Sequence, residues 1–414
     1  MDPLSRRRFL KLGTRVGGAA ALGPWAASLS GALPPPDLLI SGGTVIDPMN
    51  GVQGIRDVLI RGDVIQSVGR FTVADIRDAR GEPLVIDAKG KWVVPGLVDL
   101  HAHVDGPGAK LGLQVDDLMS ETGVTTCVSA GDVGAPDWGK YRREVLEPLD
   151  TRVFAMLHIS DLGLQGFPAP EMLDLNDINV ESAARTVAEN HDLILGIKVR
   201  ETQGIVGENG LEPLRLAIKA AEMAGDGTRV MCHISDAPGE LSDLLDLLRP
   251  GDILTHCFSG KPNNIAPGGK ILPAAFAAQA RGVIFDVGHG AGSFDFNVAE
   301  AARDQGLRPD TLSSDLHSAS IVSPGKPRLP WVMSKFMQMG YSLEEVVAMA
   351  TVRPATVINR VPNLGTLSLG APADVTVLEM VNKPSVFIDT MENERPGDRH
   401  LRPVAVVRAG RWMA

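Results

Sequence analysis

The rhythm of apolar and polar positions changes twice along the chain. Residues 33–94 carry short apolar runs separated by polar turns: Leu38–Ile40, Thr44–Ile46, Val58–Arg61, Val64–Val68 and Val85–Asp87. Gly42-Gly43, Asn50-Gly51 and Arg61-Gly62-Asp63 lie between them and suit tight turns, so the pattern predicts short strands. Residues 366–414 have the same texture, with Asp374–Leu378, Val386–Ile388 and Val404–Arg408 leading to a Gly410 turn and Trp412. Two β-rich ends around a different middle predict one small β-domain built from both termini.

The middle, residues 95–365, alternates β-branched runs with helical stretches. Eight strands are expected: Leu97–His103, Val124–Ser129, Val153–Ile159, Leu193–Val199, Arg229–Ile234, Ile253–His256, Gly282–Val287 and Thr311–Ser314. Their starts are about 24 to 40 residues apart, the length of a strand, a helix and two loops. Helices are expected between them, as at Glu181–Asn190, Leu211–Ala224 and Glu240–Leu248. Eight such units predict an α/β fold, a (β/α)8 TIM barrel. The Gly/Pro-rich loops Ser259–Pro273 and Ser323–Pro330 follow strands six and eight, on the face where such a barrel builds its active site.

Composition narrows the function. With 414 residues, 44% hydrophobic and 22% charged, the chain reads as globular and not disordered. A net charge of -10 without a basic patch in the body argues against nucleic acid, and 4% aromatics argue against base stacking. Three cysteines, none in a CxxC pair, make neither a disulfide framework nor a zinc-cysteine site. Residues 1–32 stand apart. Ser5-Arg6-Arg7-Arg8-Phe9-Leu10-Lys11 resembles a twin-arginine export signal, and the Gly/Ala-rich stretch behind it is too polar for a stable membrane span. The resemblance implies a signal peptide cleaved after Ala32, the twin-arginine translocation machinery as a partner, and a periplasmic or secreted protein.

The most specific local motif is Asp99-Leu100-His101-Ala102-His103 at the end of the first barrel strand. Residues two apart share a strand face, so His101 and His103 would both project into the barrel mouth as half a zinc site. Other strand ends carry compatible residues: Lys198 on strand four, His233 on five, His256 on six and Asp315 after eight. This distribution is similar to that of the amidohydrolase superfamily, whose deacetylase or dihydroorotase-like branch Gly196–Arg200, His256–Gly260 and Phe285–Phe294 resemble. The resemblance implies a barrel beside a β-sandwich built from both termini and two divalent metal ions, with zinc as the default. His101, His103 and Asp315 would hold the first, His233 and His256 the second, and a carbamylated Lys198 would bridge them. A buried lysine beside two dications is driven to lose its proton, after which CO2 can convert it to an anionic carbamate.

Two such metals would lower the pKa of a bridging water and polarise a carbonyl, with Asp315 as general base and then acid. The expected function is hydrolysis of an amide or ester in a small acylated substrate. A cyclic-amide hydrolase of the dihydroorotase type is the alternative, and a non-catalytic scaffold a more distant one; whether the chain forms a homo-oligomer is left open. Around the metals, Arg200 can bind a substrate carboxylate or pair with Glu201 or Asp236. His289, in Gly288-His289-Gly290, can contact substrate or stabilise a turn, and His317 can orient Asp315. His158, His191 and His400 are expected to be structural, and Cys232 and Cys257 to be buried in the core.

Overall fold

The computed structural model of the chain describes residues 37–71, 76, 82–104 and 111–413. The expected export signal lies outside the described residues. The N-terminal strands are β1 (Leu38–Asp47), β2 (Val52–Arg61), β3 (Val64–Gly69), β4 (Leu84–Asp87) and β5 (Trp92–Pro95). Barrel strands follow: β6 (Leu97–Ala102), β7 (Val124–Ala130), β8 (Arg152–His158), β9 (Ile194–Glu201), β10 (Arg229–Ile234), β11 (Ile253–Thr255) and β12 (Ile284–Asp286). The C-terminal strands are β13 (Val375–Val381), β14 (Ser385–Ile388), β15 (Glu394–Gly397), β16 (His400–Arg408) and β17 (Arg411–Met413).

Both ends of the chain share one eight-stranded sheet, ordered β17-β16-β13-β5-β1-β2-β3 with β4 beside β1. It encloses a core drawn from both halves, including Ile40, Val58, Ile86, Val375 and Val407. The two runs expected on either side of Gly42-Gly43 are one strand interrupted by a bulge between Ile40 and Gly43. Gly42 takes φ +74°, and a side chain on Gly43 would overlap Val93 at 2.5 Å, so the glycines bend a strand here instead of reversing it. Val386–Ile388 also differs from expectation. As part of β14 it pairs with β15 in a separate hairpin, pinned to the helix Phe296–Asp304 by Arg395–Glu300 at 2.8 Å.

Seven barrel strands are parallel and adjacent in chain order from β6 to β12. The helix Glu212–Ala224 shows how the outer layer forms: Pro213 opens it, and Leu214, Ala217, Ala220 and Ala221 lie buried along one face. Alanine there lets the helix approach closely, as it packs on β9 and β10. The eighth strand, expected at Thr311–Ser314, is not a regular strand. Thr311 makes an isolated bridge to Asp286, and Leu316 one to Ala102. The segment nevertheless closes the barrel, since Val287 N and His289 N donate to Thr311 O and Ser313 O, and Asp315 N donates to His101 O at 2.7 Å. Its irregularity has a local cause: Asp315 sits at φ +47°, where a ladder cannot continue.

Below the barrel, Asp374 joins it to the sheet. Its carboxylate takes Arg152 Nη1 at 2.5 Å, Arg408 Nη1 at 3.4 Å and Ala409 N at 2.9 Å. No helix among the described residues is long and apolar enough to cross a membrane.

Candidate metal centre

The C-terminal ends of the barrel strands bring the sequence-marked histidines together. The ring centroids of His101 and His256 are 4.9 Å apart, those of His233 and His256 4.2 Å, and those of His101 and His103 5.6 Å. Ligand atoms of His101, His256 and Asp315 all lie within 4.8 Å of one another. This trio crosses the two ligand sets expected from the sequence, so the six candidates form one cluster.

The hydrogen-bond partners assign the tautomers. His103 Nδ1 lies 2.7 Å from Asp132, whose other oxygen accepts from Val104 N and Ser129 Oγ at 2.8 and 2.7 Å. His256 Nδ1 donates to Gly288 O at 2.5 Å. His101 Nδ1 lies 2.8 Å from Thr255 Oγ1, which donates to Asp286 at 2.8 Å, so the imidazole supplies the proton to the threonine. Asp286 also accepts from Thr311 and Ser313, both at 2.6 Å. With Nδ1 engaged in all three rings, the Nε2 atoms are left to face Asp315 and the neighbouring imidazole. Those of His101 and His103 face the same oxygen, Asp315 Oδ1, at 3.4 and 3.1 Å, and His256 Nε2 lies 2.9 Å from His233 Nδ1. Imidazole nitrogens converging on one carboxylate and on one another fit a divalent cation with His and Asp ligands.

The electrostatics agree. Burial, reinforced by the neighbouring cations and rings, holds His101 and His233 well below the ordinary imidazole value, and burial lowers His256 to about 4. All three are neutral, as ligands must be. His103 is the exception: burial opposes its charge, but Asp132 and Asp315 outweigh burial and push it up to about 9. The field of two carboxylates there favours positive charge, whether a proton or a metal. Asp315 is held well below the usual carboxylate range, because His103 and His256 overcome its burial.

Backbone strain is concentrated at the same place. Two of the candidate ligands are left-handed without being glycine, His256 at φ +64° and Asp315 at φ +47°. Glycines let the next loop press against them. A side chain on Gly288 would meet His256 Nδ1 at 2.7 Å, and one on Gly290 would meet Asp315 Oδ2 at 2.3 Å.

Lys198 is fully buried on β9, with Nζ 3.2 Å from His101 Nε2 and 3.7 Å from Met231 Sδ. It has no ion pair with a carboxylate among the described residues, and burial lowers it to about 8. Arg200 does not pair with Glu201 or Asp236. Its Nη1 meets both oxygens of Glu171, at 3.2 and 3.3 Å, and its guanidinium lies over the Phe167 ring. His158 Nε2 approaches the same Glu171 at 3.3 Å. His289 is buried with both nitrogens engaged, Nδ1 at 2.9 Å from Gly290 O and Nε2 at 2.6 Å from Lys335 Nζ, so neither is free for substrate. His317 makes no hydrogen bond to Asp315 and instead sets its ring edge-on to His103 at 5.9 Å, with Nδ1 unpartnered. His400 begins β16, its ring tilted against that of Trp331 at 4.9 Å between centroids. Cys232 and Cys257 are buried in the core, as expected.

Asp132, Thr255, Asp286, Glu171 and Lys335 are the functional neighbours that strand-end reading does not single out. Asp132 lies two residues beyond the end of β7, and that position was its available signal. Thr255 and Asp286 are the last residues of β11 and β12, so a polar residue closing an apolar strand was their available signal too.

The chain matches the amidohydrolase family over residues 84–138, which include β6, His101 and His103. It is 36% identical over 333 residues to a deacetylase of Agrobacterium fabrum, covering 80% of each protein. A deacetylase of Enterococcus faecalis is 30% identical over 376 residues, which are 90% of this chain and 98% of that protein. Among solved structures, an adenine deaminase superposes with TM-score 0.82 and 30% identity, covering 91% of this chain and 99% of that one. A dihydroorotase superposes with TM-score 0.82 and 31% identity, covering 91% and 98%.

Proposed function

Because this chain belongs to the amidohydrolase family and is a hydrolase acting on carbon–nitrogen bonds, we propose that it deacylates a small acylated substrate, an amide or ester, in a deacetylase-like reaction. The observation that carries the site assignment is the convergence of the His101 and His103 Nε2 atoms on Asp315 Oδ1. His101, His103 and Asp315 would hold one divalent ion, His233 and His256 a second, zinc being the default for this donor set. Lys198 would bridge them. Its burial without an ion pair favours the neutral amine, which adds to CO2 to form an N–C bond and releases one proton, leaving an anionic carbamate. Bound ions of this kind polarise a scissile carbonyl and acidify water.

The chain's own residues do the rest. Asp315 is the carboxylate at the centre of the cluster, so it takes the proton of the attacking water and returns it to the leaving nitrogen or oxygen. Asp132 and the Thr255–Asp286 pair keep His103 and His101 in the tautomers that present Nε2. Arg200, fixed through Nη1 by Glu171, would meet a carboxylate of the substrate with its remaining nitrogens. A cyclic amide is the second reading, supported by the likeness to a dihydroorotase. The non-catalytic alternative is disfavoured by the presence of all six candidate ligands.

Metal analysis, intact-mass measurement of Lys198 and a panel of N-acetyl amino acids, acetyl esters and dihydroorotate test this reading. A metal-free, inert protein would sink it, and one metal with unmodified Lys198 would sink the binuclear form. Export through the twin-arginine machinery is a separate part of the proposal, resting on residues 5–11. N-terminal sequencing of the mature protein should begin at Leu33, whereas an intact Met1 in the periplasmic fraction, or no protein there, would contradict it.

A further inference from the structure

Lys335 has no part in the chemistry above, yet it is fully buried on the helix Leu329–Gln338. Its Nζ has three close partners: His289 Nε2 at 2.6 Å, Gly325 O at 2.8 Å and Ile388 O at 2.6 Å. His289 spends its Nδ1 proton on Gly290 O, so Nε2 is an acceptor. Three acceptors require three protons, and only the ammonium form supplies them. The nearby carboxylate of Asp389 is occupied by the backbone N–H groups of Phe296, Met391 and Asn393. A buried cation held by neutral acceptors is costly, and a methionine would fill the same space without that cost.

The three acceptors belong to three separate segments: the loop after β12, the loop after Asp315, and β14 of the C-terminal hairpin. The first of these reaches the candidate ligands. Gly288 O receives the His256 Nδ1 proton, Gly290 N donates to Ser314 O at 2.9 Å, and Gly290 packs against Asp315. His289 itself is clamped from the other side by Phe294, stacked at 4.7 Å, and Phe294 in turn is bonded to Thr390 of the hairpin turn.

We infer that Lys335 is a positioning residue: its ammonium ties the C-terminal hairpin to His289 and so holds the Gly288–Gly290 backbone against His256 and Asp315. The inference rests on reading those two residues as metal ligands. It assigns the hairpin a task in the active site although its strands lie outside the barrel.

Cobalt(II) titration followed by its visible absorption, with p-nitrophenyl acetate turnover as the second readout, tests this on the full chain. Lys335→Met should fold, bind cobalt about 10–100-fold more weakly with an altered absorption band, and lower kcat with KM little changed. His289→Leu, which removes the acceptor, should do the same, while His289→Gln, which can still accept from Lys335, should recover most of the affinity. Wild-type cobalt affinity, spectrum and kcat in Lys335→Met would overturn the inference. If that variant fails to fold, His289→Leu decides, and wild-type behaviour there overturns it equally. Failure of the wild-type protein to bind cobalt would instead sink the metal reading on which the inference rests.

Discussion

The barrel carries a buried polar cluster at each end, and the two are built on opposite rules. At the base, Asp374 meets only groups that bring protons: Arg152, Arg408 and the Ala409 amide. At the mouth, Asp315 meets the Nε2 atoms of two imidazoles whose Nδ1 atoms are held by Thr255 and Asp132. Both aspartates are held below the ordinary carboxylate range, so a perturbed pKa does not tell the ends apart. What separates them is the kind of partner. Guanidinium and amide donors close the base for folding, whereas several imidazole nitrogens around one carboxylate suit the mouth to binding a cation, in line with the division of labour between the two faces of such barrels.

The comparison breaks most sharply at Asp315. Asp315→Asn should lower kcat by about 10²–10⁴-fold while the thermal midpoint stays near that of the wild type. An active variant would make the mouth as structural as the base. Arg152→Met should act in the reverse sense, costing about 3 kcal/mol of stability in urea titration and leaving kcat of the folded enzyme unchanged. The same pair carries a pH signature. Asp374 is depressed from 3.8, chiefly because Arg152 and Arg408 outweigh its burial, so its contribution is complete above that value and lost as pH falls through the lower folded one. Wild-type stability should therefore drop below about pH 4 more steeply than that of Arg152→Met, and equal slopes would remove Asp374 from the account.

Asp132→Asn is a finer cut, since it keeps the shape and removes the charge behind His103. Metal affinity measured against a competing chelator should fall about 10–100-fold with stability nearly unchanged. The smallest contrast is between two glycines. Gly306, at φ +90° with open space around it, should cost about 1 kcal/mol as alanine and leave kcat alone. Gly290→Ala shares the positive φ but strikes Asp315, so its loss should appear in kcat as well. Equal effects at both positions would show that the loop is not pressed on the ligand.

The parts of this molecule legible in the sequence were those with a period. Seven barrel strands and the helices between them followed from alternation, and the strand-end rule gathered His101, His103, Lys198, His233, His256 and Asp315 into one cluster. Where backbone geometry departs from a period, the pattern misled. The Gly42-Gly43 pair read as a turn because a bulge needs the same residue, and the eighth strand read as regular because nothing in its apolar pattern reveals a left-handed Asp315. Side-chain pairing across the fold was not legible at all. Glu171 claims Arg200 from a loop, and Lys335 reaches His289 from a helix that the sequence places over forty residues away.

The central claim is that the lone pairs at the barrel mouth are completed by metal and not by protons. Metal analysis of the purified wild-type chain, paired with anomalous diffraction at the absorption edge of the metal found, tests it most directly. The expected result is two divalent ions per chain at His101, His103, His233, His256 and Asp315, with hydrolysis lost on chelation and restored by zinc. A protein that hydrolyses its substrate at full rate without metal, or whose metal lies away from Asp315, would contradict it.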